Sequence, residues 1–371
     1  MTMINKFKKI VIKIGSSSII DEKTGSVKIK WLNSICKDIS ALTNENKKIV
    51  IVSSGAIALG KNSITNKKTI HRLEDKQAAA AIGQIKLANY WQQSLEKNKI
   101  NSAQLLLTLD DSEIRRRYLN VRKTIFSLHR NKIIPIINEN DTVATEEIRY
   151  GDNDRLAARV AQMIDADLLI MLSDIDGLYT ESPTKNKKAK KLTDIKEINT
   201  TIEKMANSDH SMLGTGGMAT KIWAAKICMN SGCSTIITTG HKNYPLSKIN
   251  KNNSTCFHAS NSPKSSRKQW LLNHLHPSGT IIIDNGAAEA IFQNKSLLPA
   301  GVVEIKGKFN RGDVISVINT KNIKIGIGVI AYDSYDAKKI IGKKSKDIKH
   351  ILGYEGRDEL IHKDDLVKMN L

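Results

Sequence analysis

The sequence predicts an α/β protein, a mostly parallel sheet sandwiched by helices, followed by a small β-rich domain. Strand-like runs end at Ile14, Val52, Leu107, Ile137, Leu172 and Thr238, and the first, an apolar run over 10–14, reads as a buried parallel strand. Helical stretches at 30–42, 76–95 and 154–164 lie between them, and such alternation argues for βαβ connections. After Pro277, short runs at 280–283, 301–305, 313–318 and 325–330 are separated by glycine turns, the spacing of a compact β domain. The expected division is an α/β domain over 1–260, a linker over 261–277 and a β-rich domain over 278–371.

Bulk properties narrow the class. The 371 residues suffice for two cores. No apolar run is long enough for a membrane span, and residues 1–9 lack the apolar stretch of a signal peptide. Cys36, Cys228, Cys233 and Cys256 show no metal-type spacing, so packing residues in a reducing cytoplasm are expected. The net charge of +21 raises the question of nucleic acid. From His276 to Leu371, however, 15 basic residues face 12 acidic ones. The remaining excess is scattered among asparagines, a compositional drift rather than a basic stripe, so RNA is not the expected partner.

Along the first domain, the strand ending at Ile14 carries Lys13 inside an apolar run. A buried lysine requires a compensating anion, and Gly15 with Ser16, Ser17 and Ser18 adds a turn suited to phosphate. A strand-end lysine pointing into water is the alternative. The next strand ends in Ser53-Ser54-Gly55 and runs into a helix, where exposed N–H groups could hold an anion or a serine could simply cap. The helix containing Ala78-Ala79-Ala80-Ala81-Ile82-Gly83 suits close packing against another backbone, in this chain or a partner.

The strand over 133–137 leads into Asn138-Glu139-Asn140-Asp141-Thr142, more polar groups than a solvated turn needs. Gly151-Asp152-Asn153-Asp154 precedes a helix and offers two acids, as caps, as ammonium ligands or to orient lysines. The strand over 168–172 ends in Ser173-Asp174, where a nucleotide could border it. Finally, Gly214-Thr215-Gly216-Gly217-Met218-Ala219-Thr220-Lys221 opens a helix. Its glycines can form an anion-binding nest, and Lys221 adds a mobile charge one turn in. Neither the P-loop nor the Rossmann spacing is present. Two lysines converging on a glycine nest fit phosphoryl transfer by electrostatic stabilisation.

These segments, in this order, resemble the glutamate 5-kinases of the amino-acid kinase superfamily. The likeness runs nearly the whole chain, through VIKIGSS from Val11, IVSSGAIALG from Val50, INENDTVAT from Ile137 and EIRYGDND from Glu147. It continues through DIDGLYT from Asp174, GTGGMATK from Gly214 and ILGYEGRDEL from Ile351. The resemblance implies ATP-dependent phosphorylation of the γ-carboxylate of L-glutamate. Lys13 and Lys221 would stabilise the transferring phosphoryl group, and Asp154 would position both. ATP would be bound by Lys13, Ser173, Asp174, Thr215, Gly216, Gly217, Met218, Ala219, Thr220 and Lys221. Ser54, Asp141 and Asn153 would hold glutamate, Asp141 meeting its ammonium. Mg2+ would screen the phosphates, with no ligand identified by the sequence.

The resemblance also implies a PUA-like C-terminal domain, a homo-oligomer and feedback inhibition by proline. Departures from the family pattern are Ser53 where threonine is expected, Ala219 where serine is common and Arg149 where lysine is usual. Phosphorylation of a different acid is the competing reading, and the NENDTVAT and YGDND segments argue against it. RNA binding through the C-terminal domain is the reading from another class.

Overall fold

Largely apolar strands and the helices that connect them assemble into a layered α/β unit. The computed structural model describes residues 3–21, 23–64, 72–143, 153–183, 186, 188–207, 217–263 and 277–369. In order come β1 (Lys9–Ile14), α1 (Ser16–Ile19), α2 (Ile29–Asn44), β2 (Lys48–Ser53), α3 (Ala56–Ile64) and α4 (Leu73–Glu96). Then follow β3 (Ser102–Leu107), α5 (Leu109–Glu113), α6 (Arg115–Arg130), β4 (Ile134–Glu139) and a 3-10 turn at Asp141–Val143. The domain continues with α7 (Asn153–Met163), β5 (Leu168–Ser173), β6 (Leu178–Tyr179), β7 (Lys191–Leu192), β8 (Asp194–Ile195) and α8 (Thr200–Asn207). It closes with α9 (Met218–Asn230), β9 (Ser234–Thr239) and β10 (Ser254–Phe257).

Eight strands form one sheet in the order β3-β4-β2-β1-β5-β9-β10-β8. The six from β3 to β9 run parallel, and β10 pairs antiparallel with β9. Because side chains alternate across a strand, β1 sends Ile10, Ile12 and Ile14 into one helical layer, with Leu32 and Ile35 of α2 and Leu87 and Trp91 of α4. Val11 points to the other layer, with Leu156 and Val160 of α7 and Ile222 and Ala225 of α9. Lys13 shares the parity of Val11, so it faces the layer of α7 and α9. The four cysteines are free and buried in these cores.

The small-residue helix finds its neighbour within this chain. A Cβ on Gly60 of α3 would lie 1.8 Å from the Ala79 carbonyl oxygen. One on Gly83 of α4 would lie 1.7 Å from that of Ala56. The crossing therefore exists only because both positions lack a side chain. Trp91, also on α4, is fully buried and donates its indole N–H to Ser53 Oγ at 2.9 Å.

Contacts divide the chain into units Met1–Pro263 and Lys264–Leu371. The second holds β11 (Gly279–Ile283), α10 (Asn285–Phe292), β12 (Val302–Gly307), β13 (Val314–Asn319) and β14 (Lys324–Val329). It ends with α11 (Ser334–Ile340), α12 (Ile348–Leu352) and β15 (Leu366–Lys368). Its sheet order is β12-β11-β13-β14-β15, with only β11 and β13 parallel. Ile281, Ile283, Ile315 and Val317 fill its core. The strand over 325–330 is shifted by one residue to Lys324–Val329, and β15 and the three helices are absent from the sequence reading.

Candidate active site

The carboxyl ends of β1, β2, β4, β5 and β9 gather the polar groups, as open parallel sheets dictate. Backbone bonds across these ends hold the loops. Gly15 donates to the Leu172 carbonyl at 3.2 Å, Ser54 to Ile14 at 3.1 Å and Gly240 to Ser173 at 2.7 Å. Gly55 follows with a φ of 118°, a conformation that a side chain would strain. It turns the chain from β2 into α3.

Lys13 pairs in register with Val52 and Met171, one residue before the strand ends. Its ammonium does not reach into water. Nζ lies 2.6 Å from Asp154 Oδ1. Lys221, on the first turn of α9, brings its Nζ to 3.2 Å from Asp154 Oδ2. Thr220 donates its hydroxyl to the same oxygen at 2.9 Å. Asp154 is wholly buried, and the side chains of Lys13 and Lys221 are only 9% and 5% exposed.

Burial pushes the Asp154 carboxyl up, but Lys13 and Lys221 more than offset it and hold it below the usual carboxylate range. Its place on the first turn of α7 favours the ionised form too. Asp154 therefore orients two cations and does not serve as a helix cap. Two ammoniums gathered on one carboxylate concentrate positive charge at the strand ends, where an incoming phosphate would be attracted.

A second cluster lies on the α4 side. Asn153 Nδ2 donates to Ser54 Oγ at 2.8 Å and to Asn138 Oδ1 at 3.0 Å. Asn138 Nδ2 in turn donates to Gln84 Oε1 at 2.7 Å. Asp141 opens the 3-10 turn after β4, against which α4 packs. Burial alone pushes its carboxyl up to about 6. An acid in that state gains most from a bound cation.

Ser173 and Asp174 stand at the end of β5, the serine donating to Asp174 Oδ1 at 2.7 Å. Burial pushes the Asp174 carboxyl up, and the Ser173 hydroxyl and Lys221 pull it below its ordinary range. Gly217 caps α9 with extended backbone, and Met218, Ala219 and Thr220 form its first turn. The Thr220 hydroxyl is committed to Asp154 and the Gly217 carbonyl, leaving its backbone N–H as its means of meeting a phosphate. Gly214, Thr215, Gly216, Arg149 and Asp152 lie outside the described residues.

The structure thus gathers Lys13, Asp154, Thr220 and Lys221 in one group and Ser54 and Asn153 in a second. Lys221 links the first to Asp174 electrostatically. Sequence reading missed Gln84 and assigned Asn138 no partner. A glutamine beside Gly83, at the closest point of a helix crossing, was the available signal.

Residues 8–239 match the amino acid kinase family, and residues 279–352 match the PUA domain. A glutamate 5-kinase of Paramagnetospirillum magneticum is 48% identical over 361 residues, spanning 97% of each chain. One from Agrobacterium fabrum is 51% identical over 360 residues, spanning 97% of this chain and 92% of that one. Among solved structures, carbamate kinase from Giardia lamblia bound to AMP-PNP is 17% identical with a TM-score of 0.49. It covers 68% of this chain and 99% of that one. With near-full-length identity of this order, this chain belongs to the glutamate 5-kinase family, an amino acid kinase domain joined to a PUA domain.

Proposed function

We propose that Lys13, Asp154 and Lys221 form the phosphoryl-transfer centre and that Ser54, Asn153 and Asp141 hold the acceptor. The enzyme is a glutamate 5-kinase: it phosphorylates the γ-carboxylate of L-glutamate with ATP, giving L-glutamyl 5-phosphate, the first step of proline biosynthesis. The acceptor is already an anion, so no general base is needed, and charge repulsion is the barrier. The observation that carries the assignment is Asp154 holding both ammoniums, at 2.6 and 3.2 Å.

As the γ-phosphoryl group moves, negative charge spreads over its oxygens, and two oriented ammoniums stabilise that charge with little reorganisation. Ser173, Asp174 and residues 215–221 are assigned to the nucleotide. Mg2+ would supply charge screening on the phosphates of bound ATP. Among the described residues no group of three His, Cys, Asp or Glu side chains is placed to hold a metal. A phosphate-borne Mg2+ needs only one or two carboxylates, so the protein's share of charge neutralisation falls to the lysines.

Feedback by proline, assembly as a homo-oligomer and residence in the cytoplasm belong to the same reading, supported by family membership. RNA is left out of it. No helix among the described residues is long and apolar enough to cross a membrane.

Supplying candidate acids with ATP and hydroxylamine and measuring hydroxamate tests the activity. Glutamate should give the dominant signal. A stronger signal with aspartate or acetylglutamate would overturn the substrate assignment.

A further inference from the structure

The amide chain Gln84–Asn138–Asn153 has a direction. Asn138 Nδ2 donates to Gln84 Oε1, and Asn138 Oδ1 accepts from Asn153 Nδ2. Asn153 Nδ2 gives its other hydrogen to Ser54 Oγ. Both Asn153 hydrogens are therefore used, and among the described residues its buried Oδ1 has no hydrogen-bond partner. Turning Asn153 over alone would set its Oδ1 against Asn138 Oδ1, two acceptors facing each other. Reversal requires all three amides to turn together. Two of them, Gln84 and Asn138, are themselves buried, at 9% and 2% exposure.

A buried acceptor with no donor is costly until a ligand supplies one. Asn153 Oδ1 can receive an N–H and cannot receive a carboxylate. The α-ammonium is the only group on glutamate with hydrogens to give at neutral pH.

We propose that Gln84, through Asn138, is a positioning residue that fixes the sense of the Asn153 amide so that Oδ1 accepts from the substrate α-ammonium. This makes Gln84, on α4, a determinant of selectivity for amino acids over plain dicarboxylic acids. The inference rests on the assignment of Ser54 and Asn153 to the glutamate pocket.

The experiment compares kcat/KM for glutamate and for glutarate, which lacks only the amino group. Gln84→Met removes the acceptor that orients Asn138, and the preference for glutamate over glutarate should fall about tenfold with KM for ATP unchanged. Gln84→Glu keeps an acceptor and should retain the preference. Equal losses on both acids, or no loss on either, overturn the inference. Should Gln84→Met fail to fold, Asn138→Ser breaks the same chain with a smaller polar residue and carries the same expectation. Ser54→Ala separates the two claims. An unchanged glutamate KM there sinks the pocket assignment itself, whereas a raised KM with preserved selectivity in Gln84→Met sinks only the amide relay.

Discussion

Lys13 Nζ and Asp154 Oδ1 stand 2.6 Å apart, and the other oxygen of that carboxylate holds Lys221. One acid thus sets the positions of two cations delivered by a strand and a helix from distant parts of the chain. Removing its charge leaves two buried ammoniums to repel each other. Asp154→Asn should lower kcat about 100-fold or more and cost about 3 kcal/mol of stability, with little change in glutamate KM. Steady-state kinetics and denaturant unfolding measure both, and wild-type turnover in this variant would sink the arrangement. Lys13→Ala and Lys221→Ala should likewise act on turnover and spare glutamate affinity.

Asp141 sets an acid limb. With its carboxyl pushed up to about 6, the group is ionised above that pH and neutral below it. If the ionised form meets the glutamate ammonium, kcat/KM for glutamate should fall about tenfold per pH unit below about 6. Asp141→Asn should remove this limb and raise KM at neutral pH. A limb that persists in the variant assigns it to another group.

The same shift bears on stability, with the opposite sign to the usual carboxylate. The folded value near 6 lies above the unfolded 3.8, so the protonated form favours the folded state. That contribution is complete below pH about 4 and is lost as pH rises through 6. Without glutamate at pH 7, Asp141→Asn should therefore be more stable than wild type by about 1–3 kcal/mol. Asp154 behaves conversely: its lowered value adds stability above the carboxylate range that is lost in acid. Unfolding midpoints at pH 4 and 7 separate the two.

The α3–α4 crossing tolerates nothing larger than hydrogen. Gly60→Ala or Gly83→Ala places a methyl less than 2 Å from a backbone oxygen, and the helices must part. Each change should cost about 3 kcal/mol or more. Gly83→Ala should also raise glutamate KM, because Gln84 moves with the helix. A melting temperature equal to wild type would show that the crossing is looser than described.

Trp91→Phe keeps most of the buried ring and deletes the N–H that meets Ser53. The expected cost is about 1–2 kcal/mol, with a modest rise in glutamate KM because Ser54 adjoins the freed hydroxyl. Thermal melting and glutamate titration would reveal it, and a change confined to ATP would contradict the placement.

Local signals carried much of the architecture. Strand-like runs announced the six parallel strands, most plainly β1, β2 and β5, whose near-continuous burial removes alternation. Lys13 and Asp154 could be named from their motifs, and their contact follows from strand parity and helix packing. The chain itself cannot display that contact as a pattern. Gln84 was hidden for the same reason: its meaning depends on Asn138, brought near by the β4–α4 packing. The short helices α10, α11 and α12 escaped because none exceeds eight residues, too little for a 3.6-residue period to register. Strand β15, three residues long, gave no alternation to read.

Lys13 lies on a strand bonded on both edges, to β2 and to β5. Amide protons there should exchange with solvent only when the whole domain opens. Fraying at an edge therefore leaves the Lys13 ammonium in place, and if Lys13 serves phosphoryl transfer as proposed, heat inactivation should coincide with melting of the sheet rather than precede it.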